Sequence, residues 1–130
     1  MSKIPFPSEH RDQVVLFAWA RIKSAKFPEL DLMFAIPNGG LRNARVGKAM
    51  KAEGVKRGVP DIMLPVARAG YHGLWIEMKS EKVRPKAIGK GGVSEMQAAW
   101  HRNLRFQGYF VHVCYGFTEA SKVLESYLES

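Results

Sequence analysis

Gly58-Val59-Pro60-Asp61-Ile62-Met63-Leu64, followed by Trp75-Ile76-Glu77-Met78-Lys79, is the pair of segments that decides the fold. Both are short, apolar and bounded by glycine or proline, and they read as the two strands of one hairpin. Between them Arg68-Ala69-Gly70-Tyr71-His72-Gly73 supplies the small residues and glycines of a turn. Side chains alternate along a strand, so Glu77 and Lys79 share one face while Met78 points to the other. A turn centred near Ala69 or Gly70 brings Asp61 opposite Glu77, or one step from it. On the reverse face Ile62, Leu64, Leu74, Ile76 and Met78 form an apolar layer. Two carboxylates and an ammonium thus converge at one end of a hydrophobic hairpin.

Two carboxylates that close repel unless a cation lies between them. Hard oxygen donors suit Mg²⁺ or Mn²⁺, ions that keep waters and bind phosphate oxygens. A lysine two residues beyond the second carboxylate reaches the same phosphate or an attacking water, which is equipment for phosphodiester hydrolysis. The same spacing serves equally well a solvated Asp/Glu/Lys ion-pair set of almost no energetic consequence. Spacing alone does not separate the two.

Further residues do. Pro60-Asp61 with Glu77-Met78-Lys79 resembles the signature of PD-(D/E)XK nucleases. Glu9 with Gln13, Pro37-Asn38-Gly39-Gly40, Gly58-Val59-Pro60-Asp61, Glu77-Met78-Lys79 and Ser94-Glu95-Met96-Gln97 together resemble one branch of them. That branch is the VRR-NUC (virus-type replication-repair nuclease) domain. The pieces stand in the family's order and run through nearly the whole chain, so a single domain over residues 1–130 is expected. The resemblance implies a catalytic set of Asp61, Glu77, Lys79 and Gln97. It implies a Mg²⁺ or Mn²⁺ site made by Glu9, Asp61, Glu77 and the main-chain carbonyl of Met78.

Composition agrees with a nucleic-acid partner. Twenty basic against twelve acidic residues give a formal charge of +8, and a polyanion is the natural complement. The basic residues cluster: Arg42, Arg45, Lys48, Lys51, Lys56 and Arg57 in one segment, Lys79, Lys82, Arg84, Lys86 and Lys90 in another. Asn38, Arg42, Arg45, Lys48, Lys56, Arg57, Lys86 and Lys90 are the expected DNA contacts; a turn-forming Asn38 and a solvated helix face are the plainer alternatives. The four histidines, His10, His72, His101 and His112, lack zinc spacing. One cysteine, Cys114, allows no internal disulfide and agrees with a reducing compartment. The longest apolar run, residues 14–20, is too short to span a membrane, and the first residues lack a signal-peptide core. A cytoplasmic location, in the host of a phage or prophage, is expected.

The rest of the chain fills in around the hairpin. Ser8 is placed to cap a helix from Glu9 to about Lys23, with Val14, Val15, Ala18, Trp19 and Ile22 as its buried stripe. Glu9 by itself merely complements the helix dipole; the resemblance raises it to a ligand. Residues 32–36 read as a first strand, mostly buried, and 42–53 as a short helix ended by Gly54. Residues 80–93 read as a mobile loop that orders on DNA. Ser94 caps a helix to about Gln107, whose inner face is Met96, Trp100 and Leu104. Ser94 and Gln97 have capping-box spacing, which explains Gln97 completely. The resemblance places the same amide in the active site, and a side chain turned back to cap is not expected to reach the metal too. Gly108 ends that helix, Tyr109 to Cys114 is a buried strand, and Thr118 caps a last helix packed through Ala120, Val123, Leu124, Tyr127 and Leu128.

The order helix, strand, helix, hairpin, helix, strand, helix predicts an α/β fold, a central mixed β-sheet flanked by helices. The resemblance implies a restriction-endonuclease-like core. It also implies a homodimeric enzyme cutting four-way (Holliday) junctions. A flap or general DNA nuclease, a non-catalytic basic DNA-binding module, and an accessory protein acting through a partner are the alternatives.

Overall fold

The computed structural model describes residues 8–37, 44–84 and 91–130, and at residues 8, 9 and 44–46 the backbone alone. Four helices and four strands follow in the expected order: α1 (Ser8–Lys23), β1 (Phe34–Ala35), α2 (Ala44–Ala52), β2 (Ile62–Leu64), β3 (Leu74–Lys79), α3 (Glu95–Phe106), β4 (Phe110–Tyr115) and α4 (Phe117–Glu129). The sheet order is β1-β2-β3-β4. The hairpin β2–β3 is antiparallel, with Ile62 opposite Ile76 and Leu64 opposite Leu74. β4 lies parallel to β3, from Leu74 opposite Phe110 to Lys79 opposite Tyr115. α3 makes the crossover that a parallel pair requires. The sheet is therefore mixed, and the inner strand β3, paired antiparallel on one side and parallel on the other, carries Glu77 and Lys79.

Alternation along β3 divides the molecule into layers. Leu74, Ile76 and Met78 join Ile62, Leu64, Leu16 and Ala20 of α1, and Leu124 and Leu128 of α4 in one core. Each fully buried leucine there contributes roughly 1.5–3 kcal/mol of hydrophobic stabilisation. Glu77 and Lys79 face the other way, toward α3. The hairpin turns at Ala69 and Gly70, whose φ values are +50° and +86°. Positive φ at both central positions is the type I′ geometry that follows strand twist.

Several expectations change. In α1 the residues that reach the core are Leu16 and Ala20, with Phe17 and Trp19 packed beside them. Val14, Val15 and Ile22 are 69%, 47% and 77% exposed. Residues 14–20 are apolar throughout, and an uninterrupted apolar run fixes no rotational phase for a helix. The predicted strand 32–36 shrinks to the edge pair Phe34–Ala35, both exposed, after a 3-10 turn over Pro28–Leu32. Pro28 opens that turn, and Met33 rather than Leu32 or Phe34 is buried.

Thr118 is not a cap. α4 starts at Phe117 with Gly116 at the cap position and no side-chain bond there. Gly116 has φ +93°, and a Cβ on it would lie 2.8 Å from Glu81 Cγ. Glu119 reaches back instead, its Oε1 accepting from the Tyr115 N–H at 3.1 Å. The loop after Lys79 has a structured base: Glu81–Val83 form a 3-10 turn capped by Ser80. Arg84 pairs with Glu119 at 2.7 Å, and the Tyr115 hydroxyl donates to the Gly91 carbonyl at 2.9 Å. Residues 85–90, with Lys86 and Lys90, lie outside the described residues.

Candidate active site

Asp61 stands one residue before β2, where the chain is held from two sides. Its carbonyl accepts from the Ile36 N–H at 2.7 Å, and its Oδ2 accepts from the Met78 N–H at 2.7 Å. Continuing the β2–β3 register beyond Ile62 and Ile76 puts Asp61 opposite Glu77. An extended residue directs its N–H and C=O to the same edge. The Met78 carbonyl therefore lies on Asp61's side of β3, past the last β2 pair.

Glu77 is 1% exposed. A buried carboxylate must be hydrogen-bonded, and α3 supplies the donors. Gln97 Nε2 donates to Glu77 Oε2 at 3.3 Å, and His101 Nε2 lies 3.1 Å from Glu77 Oε1. Gln97 and His101 are four residues apart, hence on one helix face. The Lys79 ammonium donates to Gln97 Oε1 at 3.0 Å. The same Oε1 accepts from the Ser94 N–H at 2.9 Å, while Ser94 Oγ accepts from the Gln97 N–H at 3.1 Å.

The capping box is thus complete, and Gln97 still reaches both Glu77 and Lys79. The expected conflict between cap and site does not arise. Capping uses the amide oxygen, which has two lone pairs, and leaves the NH₂ group to donate elsewhere.

His101 is the functional-site neighbour that the sequence reading passed over. It is the buried residue of α3, at 4% exposure, where Met96 was expected to line the inner face and is instead 51% exposed. Burial, then the charges of Arg105 and Lys79, lower its pKa from 6.5 to about 4, with Asp61 opposing them. At neutral pH it is an uncharged imidazole, and a protonated Nε2 donates to the carboxylate. The signal was present: a histidine one turn beyond Gln97 falls on the same helix face.

α3 also braces the loop leading to Asp61. Gly58 has φ +89°, and a Cβ there would lie 2.8 Å from Met96 Cγ and 3.1 Å from the Met96 carbonyl carbon. The Trp100 Nε1–H donates to the Arg57 carbonyl at 3.0 Å. One helix therefore sets the Asp61 approach, the Glu77 carboxylate and the Lys79 ammonium together.

The structure brings together Asp61, Glu77, Met78, Lys79 and Gln97. The Glu9 side chain lies outside the described residues, as do Asn38, Arg42, the Arg45 side chain, Lys86 and Lys90. Lys48, Lys56 and Arg57 are exposed. Among the described residues no group of three or more His, Cys, Asp and Glu could hold a metal ion by itself. Among them, too, no helix is long and apolar enough to cross a membrane.

A mixed sheet with Asp61 just before β2 and Glu77 and Lys79 on the adjoining strand β3 is the arrangement expected of the PD-(D/E)XK class of nuclease folds. Within it, the family model for the VRR-NUC domain matches residues 11–118, and the chain belongs to that nuclease family. A solved structure described as a VRR_NUC domain protein superposes with a TM-score of 0.72 at 26% identity, over 97% of this chain and 92% of that one. No curated protein sequence matches.

Proposed function

We propose that this VRR-NUC protein is a Mg²⁺- or Mn²⁺-dependent DNA endonuclease that cuts branched DNA, four-way junctions in particular, as a homodimer. The observation that carries the catalytic part is the meeting of Glu77 and Lys79 on Gln97, with Asp61 opposite Glu77 and bonded to the Met78 N–H between them. The donor set fits a hard divalent ion: two carboxylates and a main-chain carbonyl, all oxygen, on one side of β3. Asp61, Glu77 and the Met78 carbonyl would hold the ion, with Glu9 added by the family pattern. When bound, such an ion polarises the scissile phosphate and acidifies a water.

Lys79 does the work that a fixed cation can do. Held by the Gln97 amide oxygen, its ammonium orients a water or offsets the negative charge developing on the phosphate. Gln97 keeps the ammonium and the carboxylate apart in defined positions. Asp61 is tied to the Met78 N–H, which fixes its carboxylate against β3. Lys48, Lys56 and Arg57 lie in the segment that leads into the Gly58 loop, and their exposure suits contact with backbone phosphates.

The dimer rests on a different observation. Val14, Val15 and Ile22 are exposed on α1, and apolar side chains grouped on one element favour burial against a partner. A two-fold pair of active sites matches the symmetry of a four-way junction.

The test is cleavage of labelled four-way junction, flap and linear duplex with Mg²⁺, Mn²⁺ or EDTA. Symmetric nicks confined to the junction and abolished by EDTA are the expected result. Equal cutting of linear duplex selects a general nuclease, cutting of the flap alone a flap nuclease. Salt-dependent binding without any cutting selects the non-catalytic module.

A further inference from the structure

Glu77 is held by two donors from one helix, and only one of them belongs to the set already assigned. We propose that His101 is a positioning residue: together with Gln97 it clamps the Glu77 carboxylate, one nitrogen to each oxygen, in the orientation needed to bind a divalent cation. The proposal deepens the metal-site reading above and rests on it.

The geometry carries the argument. Glu77 and His101 are 1% and 4% exposed, so their contact at 3.1 Å is shielded from water. A glutamate side chain has three rotatable bonds, and a carboxylate on a strand end would sample several orientations. Here the strand fixes its Cα, and α3 fixes both oxygens from positions one helical turn apart. α3 is itself anchored at both ends. Its capping box holds the first turn, and at the last turn the Gly108 N–H donates to the Arg105 carbonyl and the Tyr109 N–H to the Leu104 carbonyl. Rotation of the carboxylate would therefore require moving a capped helix or breaking two hydrogen bonds, the one to His101 buried and the one to Gln97 partly so. A carboxylate offers about four acceptor positions, so accepting hydrogen bonds and binding a cation are compatible. Groups that hold a metal ligand in place in this way typically change metal affinity or activity by about 10–100-fold when removed.

His101 presents its Nε2 to Glu77, which makes the choice of replacement informative. The amide nitrogen of glutamine can take the position of a histidine Nε2, and the shorter asparagine reaches only toward that of Nδ1. The test is calorimetric titration of Mn²⁺ into the whole protein and into His101→Ala, His101→Gln, His101→Asn and Glu77→Gln, with circular dichroism to confirm folding. Wild type should bind, Glu77→Gln should lose binding, and His101→Ala should bind about 10–100-fold more weakly. His101→Gln should recover most of the affinity and His101→Asn should not. If His101→Ala does not fold, the Gln and Asn variants decide by themselves. Wild-type affinity in His101→Ala, or equal affinity in the Gln and Asn variants, would reduce His101 to packing and overturn the proposal while leaving the metal site intact. Failure of wild type to bind Mn²⁺ would instead overturn the metal reading, and this proposal with it.

Discussion

Gln97 shows how one side chain serves two requirements. Its oxygen accepts from Ser94 N–H and Lys79 Nζ, and its nitrogen donates to Glu77. Gln97→Glu separates these functions. A glutamate keeps the acceptor and still satisfies the capping-box pattern, but it removes the donor and sets a second carboxylate against a buried one. Folding stability at pH 7 should fall by about 1–3 kcal/mol in urea melts, with the helix retained. Lys79→Ala should act the other way, leaving the fold and lowering cleavage by about 10²–10³-fold. A variant that cuts at the wild-type rate removes Lys79 from the mechanism. Strand alternation put Glu77 and Lys79 on one face and Asp61 opposite or one step from Glu77, but it was the resemblance of the motifs, not the spacing, that made these residues legible as a site. The sequence did not make His101 legible, since a histidine on a helix is read as scattered until something says which face is buried.

At the scale of elements, the hairpin and α3 behave as one unit, and glycine marks where they touch. Gly58→Ala would strain a backbone at φ +89° and press a methyl group against Met96. Left-handed φ costs a non-glycine residue about 1–2 kcal/mol before any clash. The variant should therefore lose at least that much stability, and cleavage should fall with it because the loop carries Asp61. The opposite change is available at the other end of the hairpin. Ala69 has φ +50° beside Gly70, and Asn-Gly is the preferred pair for this turn. Ala69→Asn should raise the melting temperature without altering cleavage; an unchanged or lower value would show that the turn carries no strain. β4 illustrates a further device. Its outer edge is occupied by side chains: Arg105 donates to the Val111 carbonyl, Arg84 to the Tyr115 carbonyl, and Glu119 accepts from the Tyr115 N–H. Such capping discourages pairing with another strand. None of this was readable from local pattern, because the capping residues come from α3, α4 and the loop after β3. The hairpin itself was readable, because glycine-rich turn chemistry and period-two alternation are both local, whereas its register was open by one residue until the pairing of Ile62 with Ile76 fixed it.

For the molecule as a whole, burial of imidazoles couples stability to pH. Helix and strand order followed from apolar periodicity, while the phase of α1 did not, because residues 14–20 are apolar on every side and only the assembled core selects Leu16 and Ala20. The same assembly buries His101 and half-buries His112. His101 falls from 6.5 to about 4, chiefly by burial, and His112 is lowered by burial too. Between those folded values and 6.5 the unfolded chain binds more protons than the folded one. Stability therefore rises with pH through that window, is fully present above about pH 6.5 and drains away as the pH falls toward 4. The slope approaches about 1.36 kcal/mol per pH unit for one proton, and because the unfolded imidazole is half protonated at pH 6.5, moving from pH 6.5 to 5 removes about 1.5 kcal/mol through His101 alone. Urea melts in EDTA at pH 7 and pH 5 measure the slope without a bound metal. His101→Gln has no proton to take up at that position, so its slope should keep only the share of His112 and of the other titrating groups. A His101→Gln protein as pH-sensitive as wild type would assign the acid loss to groups other than the imidazole facing Glu77.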